Sequence, residues 1–448
     1  MNEWKKVKIG DFLTEREGRY KPNDKEISKY QRLDKIDFSG HIHISDKPTK
    51  TDMIIVFPGD LIISGINVAK GAISVYQGKE PVCATIHYSS YTFDDKKVDL
   101  DYFKYFVKSP AFIFALQQQV KGGIKTEIKP KHLLPLEISL PDLSTQKEIV
   151  KVLSKKIEKV ELVKSEIESQ KNYAKQLRQN ILQEAIEGKL TEEWRKENPV
   201  VKGNPDFDAE SLFEKIQEEK CHTDSELLRN SKKKVFEPIA ENEQPFEIPE
   251  GWKWVKLEHL AEVGTGATPL TSEKKYYENG TIPWITSSST GNDFVSKADV
   301  FITEIALKET NCSLNPKGTL VVAMYGQGKT RGQITELCIE AATNQACATI
   351  KIFEKDNVVL KKYIKFVFKK MYEEIRSLAQ GGTQPNLNLG KIANTIFPLP
   401  PLAEQKEIVS RVEKLLANVT ELEKQITERE EMTKQMLQSI MKDAVREV

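Results

Sequence analysis

Two stretches of the chain carry apolar residues at alternating steps of four and three. Within 144–187, positions 149, 153, 156, 160, 163, 167, 170, 174, 177 and 181 read Ile, Leu, Lys, Val, Val, Ile, Gln, Ala, Leu and Ile. The residues 259 positions further on read Ile, Val, Leu, Val, Leu, Ile, Arg, Thr, Met and Ile. This spacing is the seam of a coiled coil. It predicts long helices over 144–187 and 403–446, with Thr145 and Glu148 as a capping box and Gly188 as the stop of the first. The expected seam is Ile149, Leu153, Val160, Val163, Ile167, Leu177 and Ile181 against Ile408, Val412, Leu415, Val419, Leu422, Ile426, Met436 and Ile440. A helix of 44 residues is about 66 Å long at 1.5 Å per residue. That is too long to be covered by one small domain, so the two helices are expected to cover each other. Antiparallel pairing is favoured because each helix is entered from its N-terminal end, which sends the two preceding domains to opposite ends with approximate two-fold symmetry. The alternative is pairing of each helix with another chain.

Ahead of each helix the pattern changes to short apolar runs between turns. MIIVF at 53–57, LII at 61–63, AISVY at 72–76 and VCATIH at 82–87 read as strands, and TLVVAM at 319–324, ITELCI at 334–339 and ACATIK at 346–351 repeat them. An amphipathic helix follows in both copies, over about 99–118 and 358–379. The chain is thus a duplication. LSTQKEIV at 143–150 returns as LAEQKEIV at 402–409 with an offset of 259, CATI at 83–86 meets CATI at 347–350 with 264, and Trp4, Val7 and Lys8 meet Trp252, Val255 and Lys256 with 248. The expected class is α+β: two tandem α+β domains, 1–143 and 251–402, separated by two long helices, 144–187 and 403–448, that form an intramolecular antiparallel coiled coil. The connector 188–250 is read as an extended or partly ordered tie with a weakly helical SLFEKIQEEK.

Charge refines the picture only when divided. The 448 residues sum to +1, yet 1–143 carries +3, 251–402 carries +4 and 188–250 carries −6. With 39% hydrophobic residues the chain can bury cores, which excludes a disordered or collagen-like protein. The start MNEWKKVKIGDFL has no apolar run of a secretion signal, and no segment approaches 18 consecutive apolar residues, so a cytoplasmic protein is expected. Cys83, Cys221, Cys312, Cys338 and Cys347 have no zinc-type spacing and are expected to be reduced, mostly core thiols.

Candidate chemistry sits in two pairs of polar turns. Residues 65–71 and 325–332 are glycine-rich and offer Asn67 and Lys70, then Tyr325, Gln327, Lys329 and Arg331. Residues 121–126 and 381–388 offer Lys121 and Lys125, then Thr383, Gln384 and Asn386. Glycine lets backbone approach a phosphate, and these side chains supply the donors and acceptors used on phosphates and base edges. GQGKT fails the GxxxxGKS/T phosphate-loop spacing at its first glycine. Pro205-Asp206 with Glu218-Glu219-Lys220 satisfies a loose PD…ExK nuclease pattern, but in a charged connector with no strand-rich core around it, which reads as coincidence.

The duplicated QKEIV helices, NILQEAIEGKLTEEWR at 180–195, IPEGWKWVKL at 248–257 and the GGTQPNLNLGKI loop together resemble the specificity subunit of Type I restriction-modification systems. The resemblance covers essentially the whole chain. It implies two target-recognition domains, each reading half of a bipartite asymmetric site on double-stranded DNA. It further implies helices that dock two methyltransferase (modification) subunits, two restriction/translocase subunits in the full complex, no membrane partner and a prokaryotic cytoplasmic setting. No catalytic residue, cofactor or metal is then expected in this chain; S-adenosylmethionine, ATP and Mg belong to the partners. The first copy departs from the second, with GGIKTEIKP in place of GGTQPNLNL. A protein-binding coiled-coil scaffold and an orphan specificity protein supporting methylation only are the rival readings.

Overall fold

The computed structural model describes residues 4–443 apart from 39, 46, 68–71, 108, 110–111, 113, 116–128, 225–237, 326–329, 354–357 and 381–386. The chain divides into two compact units: residues 1–170 with 425–448, and residues 171–424.

Unit 1 contains two four-stranded sheets. In the first, the order is β2 (Leu13–Glu15), β9 (Tyr88–Phe93), β6 (Leu61–Ser64), β7 (Ile73–Val75), antiparallel throughout. In the second it is β4 (Ile42–Ser45), β3 (Arg32–Ile36), β8 (Val82–Thr85), β5 (Met53–Val56), with β3 parallel to β8. A ribbon of β1 (Lys5–Lys8) and β10 (Glu137–Leu140) closes the unit, with α1 (Leu100–Phe106) and α2 (Pro130–Leu133) between β9 and β10. All four residues of β6 are buried because both faces are covered. Leu61 and Ile63 face a core with Phe103, Phe106 and Ile138, and Ile62 faces another with Leu33, Val56 and Ala84.

Unit 2 repeats this plan. Its five-stranded sheet runs β12 (Ala261–Thr265), β20 (Cys347–Ile352), β17 (Leu320–Ala323), β18 (Ile334–Leu337), β14 (Phe294–Val295). Its four-stranded sheet runs β15 (Val300–Ile302), β13 (Ile282–Ile285), β19 (Ala341–Thr343), β16 (Leu314–Asn315), and β11 (Lys253–Lys256) pairs with β21 (Ile396–Leu399). The long helices are α3 (Leu143–Ile186) and α10 (Leu402–Asp443). The connector contributes α4 (Glu192–Glu197) and α5 (Ala209–Asp224), and the second domain α6 (Leu257–Leu260), α7 (Glu304–Glu309), α8 (Val358–Gln380) and α9 (Leu389–Ala393).

Strand register corrects the sequence alignment of the copies. Leu61 pairs with Tyr91 and Leu320 with Ile350, so both partners shift by 259. Cys83 lies in β8, beside β3 and β5, whereas Cys347 lies in β20, beside β17. The strand equivalent to β8 is β19, which runs parallel to β13 as β8 does to β3. The CATI match at 264 therefore joins non-equivalent strands. Short apolar runs of one composition suit any doubly covered strand, so identity of four residues does not fix topology. The extra residues of the second copy lie between β12 and β16.

The long helices pair in the antiparallel sense within each unit. In unit 1, Leu153 and Val160 share a cluster with Leu437 and Ile440, and Arg429 donates to Gln170 Oε1 at 2.9 Å. In unit 2, Ile181 and Ala185 pack in one core with Val412 and Val419, and Arg178 donates to Glu423 at 2.8 Å. The buried ladder takes one residue per seven: Leu153, Val160, Ile167, Ala174 and Ile181 on α3, and Val412, Val419, Ile426, Thr433 and Ile440 on α10. Ile408 is buried, and Ile149 and Leu415 are partly buried against the cores. Val163, Leu177, Leu422 and Met436, expected on the seam, are 40%, 45%, 41% and 57% exposed. The reason is angular. At 100° per residue the position three after a ladder residue lies 60° to one side and the position four after it 40° to the other. The narrow contact takes the latter, which holds Ile157, Arg178, Leu416, Glu423 and Leu437, all partly buried.

Helix starts also differ from expectation. α3 begins one residue early and is capped by Asp142, whose Oδ1 accepts from Thr145 N at 2.8 Å, so Thr145 is not the cap. The repeated Gln of QKEIV is buried in both copies and folds back: Gln146 Nε2 donates to Pro141 O at 2.7 Å and Gln405 Nε2 to Pro400 O at 2.8 Å. Gly188 ends α3 at φ +75°. The connector is more ordered than a tie: Leu212, Phe213 and Ile216 of α5 are buried in one cluster with Ile181, Trp252 and Val409. Its carbonyls at Pro205 and Asp206 accept the first N–H groups of α10, from Leu402 at 3.0 Å and Ala403 at 3.1 Å. Glu404 is buried at the same helix start and accepts from Thr191 Oγ1, Arg195 and Trp252 Nε1.

Candidate nucleic-acid interface

In each unit the described ends of the first polar turn, Gly65–Asn67 or Met324–Tyr325, leave the sheet where strands of both sheets end together. In unit 1 the turn after β6 is tied to the β8–β9 turn by Gly65 N donating to His87 O at 2.8 Å. Asn67 is partly buried, its N–H donating to Ser64 Oγ at 3.4 Å and its carbonyl accepting from Ala72 N at 3.2 Å. Beside it, at the end of β3, a tight hairpin is closed by Asp37, whose carboxylate accepts from His41 N at 2.9 Å and lies 3.2 Å from His43 Nε2. Gly40 takes φ +84° there, and Phe38 is exposed.

In unit 2 the equivalent turn follows β17. Met324 N donates to Ala346 O at 2.8 Å and Gly332 N to Ala323 O at 2.8 Å, which fixes both ends of the turn on the sheet. Tyr325 is 47% exposed and Arg331 is partly buried. Gly332 has φ +84°, and a side chain there would press on Ile375 and Tyr372 of α8. Asn388, in the second polar loop, is structural: it caps α9, its Oδ1 accepting from Lys391 N at 2.8 Å. Of the residues picked from sequence, Asn67, Tyr325 and Arg331 are thus placed at these strand ends. Lys70, Lys121, Lys125, Gln327, Lys329, Thr383, Gln384 and Asn386 lie outside the described residues.

The fold brings two further segments to the same end of unit 2 that sequence reasoning passed over. Residues 286–292, TSSSTGN, follow β13 and contain the 3-10 turn Ser287–Gly291, with Thr290 Oγ1 donating to Gln333 Oε1 at 3.3 Å. Residues 344–346 link β19 to β20, with Asn344 N donating to Ile285 O at 3.0 Å. The run of hydroxyl residues at 286–290 is the available sequence signal.

No group of three or more His, Cys, Asp or Glu is placed to hold a metal among the described residues. Asp206 sits in the turn that caps α10, and Glu218 on α5. Cys83, Cys312 and Cys347 are buried, and burial pushes the Cys347 thiol up to about 12, so it stays protonated and unreactive. No described helix is long and apolar enough to cross a membrane.

A family model described as the Type I restriction modification DNA specificity domain matches residues 1–170 and 249–431. The MjaIX specificity subunit of Methanocaldococcus jannaschii is 32% identical over 36% of this chain and 37% of its own length. The EcoDI specificity subunit of Escherichia coli is 25% identical over 73% of this chain and 65% of its own, and the EcoKI specificity subunit from Escherichia coli strain K12 is 22% identical over 87% and 75%. The match to the first two thus spans less than two thirds of their length. A solved chain reported under "Structural basis underlying complex assembly and conformational transition of the type I R-M system" superposes with a TM-score of 0.62 over 99% of this chain and 98% of its own at 14% identity, a likeness of fold. With both copies of the duplication matched, this chain belongs to the Type I restriction-modification DNA specificity family.

Proposed function

We propose that this chain is the DNA-reading subunit of a Type I restriction-modification complex and performs no chemistry itself. Each domain, 1–143 and 251–402, reads one half of a bipartite asymmetric site through the turns 65–71 and 121–126, or 325–332 and 381–388. The observation that carries this reading is duplication with divergence: strand registers agree at an offset of 259 while the polar side chains of the turns differ, with Lys70 and Lys329 a shared exception. Two readers of different chemistry match an asymmetric two-part target.

The long helices are assigned to partner docking. Their outward apolar residues, Leu162, Val163, Met432 and Met436 in unit 1 and Tyr173, Leu177 and Leu422 in unit 2, support a protein partner, since a lone helix pair gains nothing from exposing them. Two methyltransferase subunits with S-adenosylmethionine, and two restriction/translocase subunits with ATP and Mg, would supply the chemistry in a prokaryotic cytoplasm. Adenine methylation needs the base drawn out of the stack into a pocket, a task for the methyltransferase.

Reconstitution with the cognate methyltransferase subunit and mapping of adenine methylation on random DNA tests the proposal. A gapped two-part motif is expected, and replacement of 251–402 by another such domain should change one half of it alone. A continuous motif, or methylation without sequence preference, would refute it.

A further inference from the structure

We infer that unit 2 reads DNA through a second element besides the turn after β17: the hydroxyl turn Thr286–Asn292 together with Gln345, which form one polar rim with the strand end at Met324 and Tyr325. This rests on the DNA-reading role proposed above and adds residues to it.

The rim is built by topology. β13 runs parallel to β19, so the segment leaving β13 and the segment joining β19 to β20 emerge side by side. β17 pairs antiparallel with β20, Ala323 opposite Cys347, which puts the end of β17 at the same place. Hydrogen bonds lock the pieces: Asn344 N to Ile285 O at 3.0 Å, Met324 N to Ala346 O at 2.8 Å, and Thr290 Oγ1 to Gln333 Oε1 at 3.3 Å. The end of β12 joins them, with Ala267 N donating to Thr343 O at 3.0 Å and Thr265 Oγ1 to Cys347 O at 2.9 Å. Gly266 permits this approach, because a Cβ there would run into the Thr343 backbone.

The chemistry of the rim suits a duplex. Residues 264–268, 286–292, 324–325, 330–333 and 344–346 contain no Asp or Glu, although acidic residues make up 14 of the 152 positions from 251 to 402. Apart from Ala267, Met324, Tyr325 and Ala346 they are Thr, Ser, Asn, Gln, Arg and Gly, the set that meets phosphates and base edges. Ser288 and Gln345 are exposed. The Gln345 carbonyl oxygen is held by Thr268 Oγ1, which aims the amide and leaves its N–H group to donate. An oriented donor fits acceptors such as guanine O6 and N7 or thymine O4.

Unit 1 has a different device at the equivalent place, the Asp37–His41 hairpin with exposed Phe38. Divergence there parallels divergence in the turns after β6 and β17, as expected where two half-sites differ.

The test uses the full complex with its methyltransferase partner and a methylation map for wild type, Gln345→Ala, Ser288→Ala and the double variant. Thermal midpoints of the free chain serve as the folding control. The expected result is relaxed selectivity, by about fivefold or more, at one or two adjacent positions of a single half-site, with the other half unchanged. A wild-type gapped motif that persists unaltered in the double variant overturns this inference and leaves the DNA-reading role standing. Absence of any motif with wild type overturns both. A variant that loses its wild-type midpoint is replaced by Gln345→Glu, which keeps the shape, reverses the donor and should repel DNA if the rim meets it; unchanged selectivity of Gln345→Glu counts against the inference.

Discussion

Glu404 shows how a single side chain differs between the two copies. It is buried and accepts hydrogen bonds from Thr191 and from Trp252 Nε1, each at 2.6 Å, and from Arg195, while its counterpart in LSTQKEIV is Thr145. Replacing Glu404 with Ala strands three donors, one of them the partly buried guanidinium of Arg195, and should lower unfolding free energy by about 3 kcal/mol or more in urea titration. A wild-type midpoint would show that water replaces the carboxylate at no cost. Lys365 is the opposite case. Its ammonium donates to Asp293 O at 2.8 Å and lies over the Phe294 ring, and burial pulls it below the usual lysine value of 10.5 although Asp293 and Glu336 oppose the shift. A lysine with a depressed folded value costs stability wherever it is charged in both states. The cost is relieved as pH rises through the folded value toward 10.5. Wild type should therefore gain stability relative to Lys365→Met between neutral pH and that limit, measured by urea unfolding at several pH values; parallel curves would refute it. Neither role was legible in sequence. QKEIV announced a repeat, but that its Gln closes back on a proline carbonyl, and that Glu404 gathers donors from 191, 195 and 252, depends on chain segments meeting far from one another in sequence.

At the scale of elements, period was legible and phase was not. The steps of four and three located both long helices to within one residue at their starts, because a heptad repeat on a proline-free stretch has few other readings. It misassigned Val163, Leu177, Leu422 and Met436 because apolar character was taken as burial, whereas the long arms of Arg178 and Glu423 fill the flank of the seam and pair across it. The difference is measurable. Ile426→Ala should cost about 2–4 kcal/mol of unfolding free energy, while Met436→Ser on the same helix should stay within about 0.5 kcal/mol. Equal losses would restore the original phase. The strands of both domains were read from composition, yet their pairing was not, since CATI in β8 and CATI in β20 satisfy the same burial with different neighbours.

At the scale of the whole chain, the near-zero net charge conceals a division of labour: +3 and +4 on the two domains and −6 on the connector. The connector's acidity fits its structural task. Its α5 packs against the second domain and its backbone caps α10, so negative charge near that helix start is favoured by the dipole. The shared register of the two helices, 44 and 42 residues long, then becomes a functional constraint if they carry the gap between half-sites. Removing residues 160–166 from α3 together with 433–439 from α10 takes one heptad from stretches that pair in unit 1, and so preserves the phase of the ladder. Each helix shortens by about 10 Å at 1.5 Å per residue, which corresponds to about three base pairs of duplex at 3.4 Å each. The paired deletion should fold with wild-type helix content by circular dichroism and prefer, in a binding series over gap lengths, a site with a shorter gap. Deleting the heptad from α3 alone leaves ladder residues of α10 without partners and should lower the thermal midpoint sharply. Retention of the original gap by a folded paired deletion would separate helix length from site spacing and assign the gap to the turns of the domains.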